Sequence, residues 1–208
     1  MYEVEITVKK VMGVCTADPP VEEGESFTVS EGDIRIPEGG CVCLYALQSL
    51  IPLIPAKERK IAENRDEDWM WRVHHAQCPD PKGRVVFTIE QKPFGGGIAD
   101  SELSPGSGEP DPGSSEASEL KALKVVVESV GGKCTSRMKP GDYAILRGGR
   151  LYIPPGRCFC LYALQSALPL LPAKQRHPRA GDWMKDECRV LCPDPAGNVI
   201  LRIDELDG

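Results

Sequence analysis

Long apolar runs are missing from this 208-residue chain. No stretch approaches the roughly 18 consecutive apolar residues that a membrane-spanning helix needs. The opening MYEVEITVKKVMGVC alternates like a strand and lacks the apolar core of a secretory leader. A soluble, cytosolic protein is therefore expected, with no membrane partner. A basic excess is also missing. Residues 1–93 carry 11 Lys+Arg against 16 Asp+Glu, residues 94–119 carry six acids and no base, and residues 120–208 carry 14 bases against nine acids. Nucleic acid is excluded as a partner, because phosphate binding needs a strongly basic domain. The first half is acidic and the second basic, which favours docking of one on the other.

Catalytic signatures are scarce. There are three histidines, and His75 and His177 have no counterpart in the other half. No GxSxG, HExxH, P-loop or GxGxxG-strand-helix pattern occurs, and the GGG at 95–97 sits in a linker. A CxxC…CxxC pair is absent too, so zinc-ribbon spacing does not apply, nor does the run of cysteines typical of ferredoxins.

What is present is a repeat. CVCLYALQSLIPLIPAK (41–57) and CFCLYALQSALPLLPAK (158–174) are identical at 13 of 17 positions. Cys15-Thr16 matches Cys134-Thr135, IPEGG (36–40) matches IPPGR (153–157), and Asp68-Trp69-Met70 matches Asp182-Trp183-Met184. CPDP recurs at 78–81 and 192–195, each time before a glycine turn and an alternating strand. The chain divides into a first repeat (1–93), an acidic Gly/Ser/Pro linker (94–119) too polar to bury a core, and a second repeat (120–208). Each repeat reads as β-β-α-β-β: strands at 3–11 and 123–130, then 26–30 and 143–147, one main helix, and two further strands. The expected fold class is α+β, an antiparallel sheet with one main helix per repeat. The two repeats are expected to pair as a pseudo-dimer.

The helix carries an apolar stripe, Leu44, Leu47, Leu50 and Ile51, matched by Leu161, Leu164, Ala167 and Leu168. Core packing explains it. Pro52 and Pro169 break the helix, and Pro55 and Pro172 reinforce the stop. Tyr45, Gln48, Tyr162 and Gln165 are placed to face the other repeat. Trp69 and Trp183 read as core or interface anchors, and Asp80 and Asp194 as Asx-turn residues.

Nine cysteines in a cytosolic protein stay mostly reduced, which favours metal binding or redox chemistry over structural disulfides. Eight match between repeats: Cys15, Cys41, Cys43 and Cys78 with Cys134, Cys158, Cys160 and Cys192. The ninth, Cys188, aligns with His74, an exchange that would preserve a metal ligand. These ten residues are the candidate ligands, with an iron–sulfur cluster or zinc as the candidate cofactor. Small buried hydrophobes are the plain alternative. Cys43 and Cys160 sit at the predicted helix start, where a thiolate is favoured. Cys41 and Cys158 precede it, and each CxC pair could pinch a metal or form a disulfide.

GGKC (131–134), KPGDY (139–143), the P-x-G with a cysteine shortly after (154–160), Trp183 and CPDP (192–195) with its strand resemble a family of small uncharacterised proteins of archaea and anaerobic bacteria. The resemblance covers both repeats and not the linker. It implies a cytosolic protein with one cysteine near the first hairpin, one at the helix start and one in CPDP. Those correspond to Cys15, Cys43 and Cys78, then Cys134, Cys160 and Cys192, with Cys41 and Cys158 additional. The family carries no known activity. The leading expectation is a non-catalytic metal- or iron–sulfur-binding protein, an accessory to an anaerobic redox enzyme. A thiol redox module using the CxC pairs and a structural subunit with a protein partner are the alternatives.

Overall fold

The computed structural model describes residues 2–59, 73–93, 120–176, 182 and 188–206. The expected linker and both tryptophan segments lie outside the described residues. Twelve strands form two six-stranded antiparallel sheets among the described residues. In the first half the strands are β1 (Tyr2–Val11), β2 (Ser26–Ser30), β3 (Asp33–Arg35), β4 (Val42–Cys43), β5 (His75–Gln77) and β6 (Val85–Pro93). In the second half they are β7 (Ala122–Val130), β8 (Tyr143–Arg147), β9 (Arg150–Tyr152), β10 (Phe159–Cys160), β11 (Arg189–Leu191) and β12 (Val199–Leu206). Helices α1 (Leu44–Leu50) and α2 (Ile54–Lys57) follow β4, while α3 (Leu161–Ala167) and α4 (Leu171–Lys174) follow β10.

The fourth strand of each half is exchanged. One sheet runs β10-β3-β2-β1-β6-β5 and the other β11-β12-β7-β8-β9-β4. Val42 and Cys43 pair with Leu151 and Arg150, and Phe159 and Cys160 pair with Ile34 and Asp33. The exchange also starts the helices. The first amide of α1, on Leu44, donates to Gly149 O at 2.8 Å, and that of α3, on Leu161, donates to Gly32 O at 2.8 Å. Each helix thus opens on a carbonyl of the opposite half, which satisfies an amide that a helix end leaves unpaired. Tyr162 lies against Gly32 and Tyr45 against Gly149, as expected for residues facing the other repeat.

The Leu stripe is the core, as expected. Leu44, Leu47, Leu50, Leu161, Leu164 and Ala167 are fully buried. After Pro52 and Pro169 the chain does not leave the helical path. It resumes as the one-turn helices α2 and α4, with Pro55 and Pro172 in the first turn. A proline is tolerated there because that amide has no intrahelical acceptor. No helix among the described residues is long and apolar enough to cross a membrane.

Candidate functional site: a thiol pair in a shared cavity

Two loops carry Cys15 and Cys78, and they are tied together. Gly13 and Val14 amides donate to the Gly83 and Lys82 carbonyls, each at 3.0 Å. A Cβ on Gly13 would stand 1.9 Å from Lys82 O, and one on Gly132, the matching residue, 2.1 Å from Ala196 O. Only glycine permits this approach. Asp80 completes the tie. Its carboxylate accepts from the Lys82 amide at 2.9 Å, the expected Asx turn, and from the Thr16 hydroxyl at 2.9 Å. The Lys82 amide, and then Thr16, hold the Asp80 carboxyl below its ordinary range. In the second half the Ala196 amide donates to Asp194 in the same way. Gly132→Ala should lower stability by about 1–3 kcal/mol, the usual scale for overpacking, read as a drop in the urea midpoint. An unchanged midpoint would show that the loops yield freely.

Cys43 ends β4 and is the N-cap residue of α1. Cys43 and Cys78 line the same cavity, and their interaction drives the two thiols in opposite directions. The Cys78 thiol as donor pulls Cys43 down to about 6, with the Ala46 and Tyr45 amides adding to the effect against the penalty of burial. No full capping hydrogen bond to the sulfur is formed. Cys78 is pushed up, first by the thiolate it serves and then by burial. A shared proton between two close sulfurs produces this split. Both thiols are free and buried.

Cys15, Cys43 and Cys78 line one cavity of about 520 Å3. Tyr45 and Asp80 also line it, and its far wall comes from the second half, at Gly148, Gly149, Gln175 and Arg176. The size suits a small molecule or a single extended side chain. No family model, curated protein or solved structure matches this chain. The geometry of the thiols therefore carries the functional reading.

The remaining cysteines have other neighbours. Cys41 accepts a hydrogen bond from Arg150 Nε at 2.9 Å. Burial still pushes the Cys41 thiol up, against the opposing pull of Arg150. Arg150 is fully buried and pairs through Nη2 with Glu25 at 2.5 Å. This ion pair joins the second half to the first. Cys158 lies 3.8 Å from Asp33 Oδ2 and is pushed up to about 11, mainly by burial and then by Asp33. Cys160 is bonded to Ser136 Oγ at 3.2 Å, and burial raises its thiol. Cys134 is close enough to Cys192 to raise that thiol slightly, after the larger effect of burial.

His74 and Cys188 occupy matching places before the edge strands β5 and β11, where their carbonyls accept from Ile89 and Ile203. His74 is exposed and Cys78 buried, and neither His74 nor Cys188 lines the cavity. Among the described residues no three His, Cys, Asp or Glu side chains come together as a set that could hold a metal ion. Sequence reasoning missed Arg150, Asp33 and Ser136. The signal was there: Asp33 and Arg150 are 117 residues apart, the offset of Cys41 and Cys158, so matched positions carry opposite charges.

Proposed function

We propose that the chain is a single-chain pseudo-dimer whose first half carries a redox-active dithiol, Cys43 and Cys78, for thiol–disulfide exchange with a disulfide small enough to enter the cavity. Two free thiols, Cys43 and Cys78, lining one cavity carry this reading, with Cys43 held low beside Cys78. Of the earlier expectations it is nearest to the thiol redox module, with a different partner. Cys41 is engaged by Arg150, so the exchange partner of Cys43 is Cys78 across the loop, not its neighbour in the CxC pair.

The Cys43 thiolate attacks one sulfur of the substrate disulfide, forming a mixed disulfide and releasing one thiolate. Cys78 then loses its proton to that thiolate and attacks the Cys43 sulfur. The second substrate thiolate leaves, and the Cys43–Cys78 disulfide remains. Two electrons have passed from the dithiol to the substrate. A thiolate ionised near neutral pH is the suitable attacking group for the first step.

The test is to treat the reduced protein with 2-hydroxyethyl disulfide, quench in acid, block remaining thiols and map the peptides by mass spectrometry. A Cys43–Cys78 crosslink is expected, with a trapped mixed disulfide on Cys43 in the Cys78→Ala variant. No crosslink, or a Cys41–Cys43 crosslink in its place, would overturn the pairing. One bound metal ion per chain after anaerobic purification, lost in Cys43→Ser, would overturn the reading in favour of a metal site.

A further inference from the structure

Cys15 lines the same cavity as Cys43 and Cys78, and the exchange step leaves it unused. Its loop is packed on the loop that carries Cys78. The Asp80 amide donates to the Cys78 sulfur at 3.5 Å, and the Asp80 carboxylate accepts from the Thr16 amide at 3.3 Å and the Thr16 hydroxyl at 2.9 Å. One residue thus touches both Cys78 and the chain neighbour of Cys15. A Cβ on Gly83 would stand 3.1 Å from the Cys15 Cα. The second half repeats the approach, with a Cβ on Gly197 falling 3.3 Å from the Cys134 Cα. Access separates the three thiols of the cavity. Cys43 and Cys78 are buried, at 6% exposure each, while Cys15 is half-buried. Cys41, the other cysteine close to Cys43 in sequence, does not line this cavity.

We propose that Cys15 is a third redox cysteine, which takes the disulfide over from Cys43 and carries it to a more accessible sulfur. The inference rests on the exchange reading for Cys43 and Cys78 and adds a second step to it. Cys15 gives its proton to water, and its thiolate attacks the Cys78 sulfur of the Cys43–Cys78 disulfide. A Cys15–Cys78 bond forms, the Cys43–Cys78 bond breaks, and Cys43 leaves as a thiolate. The chain neither gains nor loses electrons in this step. Its direction follows from the leaving group. Attack on Cys78 expels Cys43, whereas attack on Cys43 would expel Cys78. A thiol of lower pKa leaves faster. Beyond the contribution of Cys78 itself, the Ala46 and Tyr45 amides favour Cys43 as a thiolate. After the effect of Cys43, burial pushes Cys78 further up. The disulfide then ends on a half-buried sulfur instead of lying between two buried ones.

The experiment is a pulse on the full chain. Reduced protein receives one equivalent of 2-hydroxyethyl disulfide near neutral pH and is then freed of small molecules. Samples taken over time are quenched in acid, their free thiols are blocked, and the disulfides are mapped by mass spectrometry. In the native sequence Cys43–Cys78 should form first and give way to Cys15–Cys78, with Cys43 becoming free for blocking at the same rate. In Cys15→Ser the Cys43–Cys78 disulfide should decay at least tenfold more slowly. A native Cys43–Cys78 disulfide that persists with no Cys15–Cys78 would overturn the transfer and leave the exchange reading intact. So would a Cys15–Cys43 disulfide in its place, or equal decay in Cys15→Ser. If Cys15→Ser does not fold, the native time course decides alone. If Cys43–Cys78 forms neither in the native protein nor in Cys15→Ser, the exchange reading falls and this inference with it.

Discussion

Arg150→Ala is expected to lower the unfolding free energy by about 3 kcal/mol. Removing one member of a buried ion pair typically costs about 3–5 kcal/mol, because the partner is left charged and uncompensated. The Glu25 side chain is 30% exposed, so water recovers part of that loss and places the expectation at the low end. Arg150 also donates to Cys41 and lies across β4 in the exchanged pairing. The substitution therefore strikes the seam between halves as well as the charge pair. Arg150→Met separates the two contributions: it keeps the buried stem, avoids most of the cavity, and should be milder than alanine. The Arg202–Asp204 pair is a control, being exposed on both sides. Its removal should barely move the urea midpoint. A midpoint for Arg150→Ala as high as that of the native protein would mean that the exchanged strands hold without their charged partner.

Cys78→Ala is the second large effect, and it is electronic rather than structural. Cys78 is the main cause of the lowered ionisation of Cys43. Without that donor, Cys43 should ionise at least two pH units higher, toward the ordinary thiol range of about 8.5. The alkylation rate at a single pH is a poor readout, since a thiolate of lower pKa is also a weaker nucleophile. The inflection of the rate against pH is the proper measure. Stability should follow the same linkage. Cys43 ionises lower in the folded chain than in the unfolded one, so between pH 6 and about 9 the unfolded state binds the extra proton and stability rises with pH. That contribution is lost as pH falls through 6. Cys78 has the opposite sign, its folded value being raised, so its contribution is lost as pH climbs past the unfolded thiol range. The pair thus favours the folded state most near the top of that window. In Cys78→Ala the rise between pH 6 and 9 should be largely abolished.

Much of this was readable in the sequence, and the limits have physical causes. The duplication, the strands at 26–30 and 143–147 and the buried Leu stripe follow from repetition and periodicity, which are local signals. The Asx turns follow from CPDP chemistry. The strand exchange does not, because Val42–Cys43 and Phe159–Cys160 are two-residue strands with no period to detect. Which sheet they join is decided by distant residues on β3 and β9. The same holds for the thiols. A list of matched cysteines cannot tell that Cys43 shares a cavity with Cys78 while Cys160 meets Ser136, since those neighbours come from segments distant in the chain. The prolines were half legible: they end α1 and α3, but the buried Ile54 and Leu171 hold the chain on course for one more turn.

The most direct measurement is the pH dependence of Cys43 alkylation in the native protein, followed residue by residue by mass spectrometry with a small uncharged alkylating reagent. The Cys43–Cys78 pair predicts an inflection at about 6 for Cys43, followed by a plateau, while Cys160 continues to rise above pH 9. An inflection for Cys43 in the ordinary thiol range, with Cys160 following the same curve, would contradict the account.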